Sequence, residues 1–181
     1  MSKKIDYKCF WAFCVVVYFL DQTTKLWILQ NLPFNTYDIN GLGVKPKVLV
    51  DGFAYIVHIG NTGAAWGMLK DNSLFLGIIA VFAMGSIYWF RKAFFLHQKF
   101  MQVIFGLLSG GIFGNFTDRI LRGHVIDFMD VHLPIVNYRW PSFNVADAAI
   151  CIGVGLYFIS SFFQESPSEE SVEKKETGEI K

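Results

Sequence analysis

Two aspartates in this chain have neighbours that suit acid–base chemistry. Asp127 stands in His124-Val125-Ile126-Asp127-Phe128, and Asp147 in Phe143-Asn144-Val145-Ala146-Asp147. The apolar residues around Asp127 raise a carboxyl pKa where they exclude water. Asp147 follows a good helix N-cap, Asn144, and so sits where the helix dipole favours negative charge. Two carboxylates brought close share one proton, because both cannot stay ionised. One then acts as base on a water molecule and the other as acid on a carbonyl oxygen, the chemistry of an aspartic peptidase. Asp127 alone reads as a capping or structural residue; the pair, delivered to one side by the topology below, reads as a dyad.

Other polar groups accompany them inside apolar segments, where an ionisable side chain is costly without a partner or water. Asn115, Asp118 and Arg119 fall at i, i+3 and i+4 and share a helical face. Either Arg119 pairs only with Asp118, or Arg119 and Asn115 hold a peptide carbonyl or lipid ester through donors that need no proton exchange. Asp21 and Lys25 are one turn apart, an ion pair that either neutralises itself near the outer interface or acts directly. Asn61-Thr62-Gly63-Ala64-Ala65-Trp66-Gly67 combines small residues, an amide and a large ring; it suits a close backbone approach to a bound group, and equally a glycine-rich turn at the membrane edge. His124, Asp127, Asp130 and His132 are possible metal ligands, but their spacing fits no standard zinc motif, so neither metal nor cofactor is expected. Cys9, Cys14 and Cys151 lie in apolar runs without a CxxC pair and indicate no disulfide framework.

The elements that must position these groups are membrane helices. Hydrophobic residues make up 53% of the 181, aromatics 17%, and mean hydropathy is +0.38, too apolar for an ordinary soluble domain. Apolar segments run over about 9–29, 74–90, 100–120 and 143–163, each close to the roughly 20 residues of a spanning helix. The expected architecture is an all-α, four-transmembrane-helix bundle forming one membrane-embedded domain over 1–164. Gly106, Gly110 and Gly114 mark a stripe where a neighbouring helix approaches closely. The N-terminus imitates a signal peptide but lacks a small-x-small cleavage site, and reads as an uncleaved first span.

Lys3, Lys4 and Lys8 before the first segment, and Arg91, Lys92 and Lys99 between the second and third, place both termini in the cytoplasm. Asp127 and Asp147 then share the outer side. Val48–Val50, Asp51-Gly52 and Phe53–Ile59 read as a small β-hairpin outside, too small to stand alone and suited to lie on the membrane surface or over a cleft. All six glutamates fall in the last 17 residues; this tail, 165–181, lacks aromatics and is expected to be a disordered cytoplasmic segment. The body holds 13 basic residues against nine aspartates, a mild excess that does not suggest nucleic-acid binding.

Asp21-Gln22-Thr23-Thr24-Lys25, Asn61–Gly67, Gly110–Arg119, Val125-Ile126-Asp127-Phe128 and Phe143–Asp147 resemble, in order, the motifs of the lipoprotein signal peptidase (signal peptidase II) family, over residues 8–164. The resemblance implies a bacterial inner-membrane aspartic endopeptidase that removes signal peptides from diacylglyceryl-modified prolipoproteins just before the lipidated cysteine. It implies Asp127 and Asp147 as the catalytic dyad and Asn115, Arg119 and Asn144 as residues lining the substrate site. Asn61, Gly63, Asp21 and Lys25 match further motif positions with substrate-binding or supporting roles, and Asp118 a structural one. An extracytoplasmic β-cradle and a half-embedded loop are also implied. Trp66 stands where many members have Phe. The implied partners are the lipidated substrates and membrane lipids, with no obligatory protein partner. A small channel or transporter using the same charged residues as a polar path is the alternative, which predicts flux without proteolysis; a quinone-linked thiol oxidase would need paired outer cysteines that the chain lacks.

Overall fold

The computed structural model of the chain describes residues 5–36, 45–64 and 68–163. Trp66 and the acidic tail lie outside the described residues.

Four helices carry the apolar segments: α1 (Lys8–Asn31), α2 (Ser73–Trp89), α3 (Lys99–Arg122) and α4 (Val145–Phe163). Three of them, Lys8–Asn31, Lys99–Arg122 and Val145–Phe162, are long and apolar enough to cross a membrane, whereas α2 is a shorter apolar helix of 17 residues. Large side chains such as Trp11, Phe19, Phe82 and Phe158 are exposed on the outside of the helices, as expected where the surrounding solvent is lipid. The polar Thr23 and Thr24 are accommodated within α1 by donating their hydroxyls to the carbonyls of Phe19 and Leu20, at 2.6 and 2.8 Å.

Glycine sets the helix spacing. A Cβ added to Gly106 or Gly110 would lie 2.7 Å from the carbonyl oxygen of Phe10 or Cys14, and one on Gly114 would strike the Asp21 carboxylate. The predicted stripe is therefore the seam on which α1 packs. The order of these contacts shows that α1 and α3 run parallel. On another face of α3, a Cβ on Gly111 would lie 2.5 Å from the Ala146 carbonyl, and one on Gly153 of α4 would lie 2.9 Å from Leu108, so α4 runs antiparallel. Gly77 of α2 faces Phe116, and Ile87 packs on the cluster containing Met101 and Phe105, so α2 is antiparallel to α3 as well.

The sequence reading expected helices and one hairpin; the structure contains a four-stranded antiparallel sheet in the order β1 (Lys47–Val50), β2 (Ala54–Asn61), β3 (Val125–Leu133), β4 (Tyr138–Phe143). The expected hairpin is β1–β2, with Gly52 at φ 72° in its turn. The other half escaped notice for identifiable reasons. The first four residues of β3 are all buried, so its sequence lacks the alternation that marks a one-sided strand, and Pro141 interrupts β4. Pairing supplies the support that an isolated hairpin would lack: Ile59 faces Asp127 and Asn61 faces Val125 across β2–β3. Ile126 and Phe128 pack with Ile28 near the C-terminal end of α1, which seats the sheet on the helices.

Candidate active site

Strand β3 and the first turn of α4 bring Asp127 and Asp147 to one cavity of about 840 Å³. Asn144 joins them. Its side-chain oxygen accepts the backbone N–H of Asp147 at 2.9 Å while the Asp147 carboxylate accepts the N–H of Asn144 at 3.2 Å, a reciprocal capping box that fixes the carboxylate at the helix start. The same Asn144 donates its amide to Asp127 Oδ1 at 2.8 Å. Asp127 Oδ2 accepts from Asn61 at 2.9 Å, and Asp147 Oδ1 accepts from Asn115 at 2.7 Å. All of these side-chain donors are neutral amides. Burial, and next to it the negative charge of Asp147, push the Asp127 carboxyl up to about 7; the hydrogen bonds from Asn61 and Asn144 and the more distant Lys25 ammonium oppose the rise.

The loop after β2 closes another side of the cavity. Asn61 Oδ1 accepts the N–H of Gly63 at 2.9 Å, so one amide holds both the loop and Asp127. Glycine is required at 63: an added Cβ would lie 2.7 Å from the Met68 carbonyl. Arg119 donates to the carbonyl of Gly63 at 3.1 Å and lines the cavity. Ile59, Val125, Trp140, Phe143 and Ile150 form apolar parts of the wall. The result is an apolar cleft with two acids and a guanidinium converging inside it.

Of the two alternatives for Arg119, the local one, a pair with Asp118, does not form as an ion pair. Asp118 instead meets Arg122 at 2.5 Å and Lys25 at 2.9 Å, because the residue four positions on lies over it while Arg119 turns to the Gly63 loop. Asp21 and Lys25 do pair, at 2.8 Å, and both are fully buried. Lys25 also donates to Asn115 Oδ1 at 2.9 Å. Asn115 is therefore held between Lys25 and Asp147. Gln22, which sequence reasoning passed over, donates toward Asp21, Asp118 and the Gly114 carbonyl at 3.1–3.3 Å. Its signal was a primary amide within an apolar helix, beside an acid.

The residues considered for a metal have separate engagements. His132 meets the Gly52 carbonyl, Asp130 lies 3.4 Å from Arg139, and His124 packs against Phe34. Among the described residues no group of three His, Cys, Asp or Glu side chains is placed to hold a metal ion. Asp21, Lys25 and Asp118 close on one another.

Residues 13–163 match the family described as signal peptidase (SPase) II. Two solved structures of a bacterial membrane enzyme obtained by the in meso method, at 2.3 and 1.9 Å, are similar throughout. The first is 31% identical with a TM-score of 0.75, covering 93% of this chain and 98% of the other. The second is 32% identical with a TM-score of 0.72, covering 92% and 99%.

Proposed function

The chain belongs to the signal peptidase II family of membrane aspartic peptidases, and from that premise we propose that it cleaves diacylglyceryl-modified prolipoproteins immediately before the lipidated cysteine, with Asp127 and Asp147 as its catalytic dyad. The observation that carries the assignment is Asn144, which bridges the two acids at the wall of one apolar cavity.

Asp127, whose carboxyl is pushed to about 7, holds the shared proton. Asp147 takes a proton from water as the water oxygen attacks the scissile carbonyl carbon, while Asp127 protonates the carbonyl oxygen. Collapse of the tetrahedral intermediate breaks the C–N bond; the amine nitrogen takes the proton held by Asp147, and Asp127 recovers its own from the diol. Such a pair titrates as a unit. Arg119 keeps the Gly63 loop against the cleft, and the signal-peptide helix enters between helices with its acyl chains in lipid.

Four crossings are the topology this reading uses. The parallel packing of α1 and α3 requires the chain to return between them. Helix α2 runs antiparallel beside α3, and hydrogen-bonded turns continue from it through Phe94 and Leu96. Because α1 and α3 are parallel, Lys8 shares a side with Arg91, Lys92 and Lys99, which supports a reading with cytoplasmic termini and with the dyad and sheet on the extracytoplasmic side of the inner membrane. Residues 1–164 act as a single peptidase domain, and 165–181 as a cytoplasmic tail outside it.

The test is cleavage of a prolipoprotein by the purified protein with and without prior diacylglyceryl transfer. Release of the signal peptide from the lipidated precursor alone is expected. Equal cleavage of both precursors would remove the lipid from the substrate definition, and solute flux without cleavage would favour the channel.

A further inference from the structure

Lys25 lies outside the cavity, fully buried, with an acceptor for each of its three ammonium protons: Asp21 Oδ2 at 2.8 Å, Asp118 Oδ2 at 2.9 Å and Asn115 Oδ1 at 2.9 Å. Each acceptor reaches onward to the dyad. Asp21 Oδ1 accepts at 3.0 Å the backbone N–H of Ala146, the residue immediately before Asp147. Asp118 Oδ2 accepts at 3.1 Å the N–H of Ile126, the residue immediately before Asp127. Asn115 passes its amide to Asp147 itself at 2.7 Å. One cation on α1 thus holds, through single intermediaries, the backbone ahead of both aspartates and the side chain of one.

Holding α1 against α3 does not require this arrangement. Gly106 and Gly110 already bring those helices together against the backbone and apolar side chains of α1, without any charge. Replacing buried ionic groups by well-packed apolar ones is often neutral or stabilising, so a lysine with two acids is a poor choice for adhesion alone. Its distinct capacity is directional: it fixes two carboxylates, and each fixes a strand or helix start at one peptide N–H.

Resting on the dyad reading above, we infer that Lys25 is a positioning residue for peptide cleavage, setting the separation and orientation of Asp127 and Asp147 through Asp21, Asp118 and Asn115. It touches neither substrate nor reacting atoms.

The experiment is steady-state cleavage of a diacylglyceryl-modified prolipoprotein across pH by wild type, Lys25→Met, Lys25→Arg and the double variant Asp21→Asn/Lys25→Met, with Asp127→Asn in parallel. Lys25→Met should lower kcat about 100-fold, the scale of loss from a roughly 1 Å misplacement of reacting groups, with KM nearly unchanged because Lys25 does not line the cavity. The basic limb of the pH profile should also move to higher pH. The charged groups acting on Asp127 are Asp147 from α4, which raises its pKa, and Lys25 from α1, which opposes the rise; Arg119 from α3 is electrostatically coupled to it as well. Removing Lys25 removes an opposing charge. Lys25→Arg, which keeps the charge, should restore the limb and part of kcat. The double variant leaves one acid fewer unpaired and serves where the single variant fails to fold; it should show the same loss of kcat. Wild-type kcat and pH profile in either neutral variant, with Asp127→Asn inactive, would overturn this inference alone. Full activity in Asp127→Asn would overturn the dyad and the inference with it.

Discussion

Asp21 and Asp118 have a lysine between them; the side chains that hydrogen-bond to Asp127 and Asp147 are all amides. Both pairs lie in one hydrogen-bond network joined through Asn115, and three of the four side chains are almost completely buried. In the first pair Lys25 approaches both carboxylates and Arg122 adds a second cation at Asp118. In the second pair Asn61, Asn144 and Asn115 supply direction without neutralising charge. The difference shows how one residue type serves two ends. Compensated acids act as fixed brackets, while burial without a contacting cation favours the protonated form of a carboxyl, as at Asp127, and the proposed dyad uses that proton in peptide cleavage.

The contrast breaks most visibly if the uncompensated pair is neutralised. Asp127→Asn and Asp147→Asn should each lower kcat by at least about 1,000-fold, within the range of acid–base contributions, while the purified proteins remain folded and monodisperse. Asn144→Ala should cost about 10–100-fold in kcat, because it removes the amide that serves Asp127 and the cap that orients Asp147. Near-normal turnover in that variant would deny Asn144 its bridging part.

The pH response tests the proton itself. With the Asp127 carboxyl raised to about 7, activity should fall as pH rises through that value, approaching tenfold per unit beyond it. Stability follows the same sign. A carboxyl whose folded pKa lies above its unfolded value favours the fold fully below about pH 4, and that contribution is lost as pH rises through about 7. Thermal melts should therefore place Asp127→Asn above wild type at pH 8, with the difference closing at pH 4. The smallest effect concerns the compensated pair. Gly114→Ala, whose new methyl would meet the Asp21 carboxylate, should destabilise by about 1–3 kcal/mol, whereas Gly85→Ala on α2, with open space around it, should be neutral or slightly stabilising. Equal melting temperatures for these two variants would show that the Asp21 bracket yields readily.

Much of this was legible in the sequence, and its limits follow from range. The apolar segments, the glycine stripe and the Asp21–Lys25 pair are local patterns, and each appears as a helix or a contact of the expected kind. The sheet was only half visible, since β3 is too buried to alternate and β4 contains Pro141. Within the site, the convergence of Asn115 and Lys25 depends on helices whose paired residues are 90 positions apart, which no periodicity reveals. Local spacing for the same reason suggested Asp118–Arg119, when Asp118 is shared between Lys25 and Arg122.

The parallel seam between α1 and α3 also fixes an order of events during synthesis. Lys25 leaves the ribosome 90 residues before Asn115. Through that interval its ammonium has a neighbour in its own helix, Asp21, four positions earlier, and enters the membrane as half of a self-neutral pair. The remaining bonds of Lys25 wait for α3, and Asp21 waits longer still, for the Ala146 N–H of α4, the helix that also carries Asp147. We expect an enzyme assembled this way to stay inert while it is unfinished, and crosslinking of stalled nascent chains between α1 and α4 would show when that state ends.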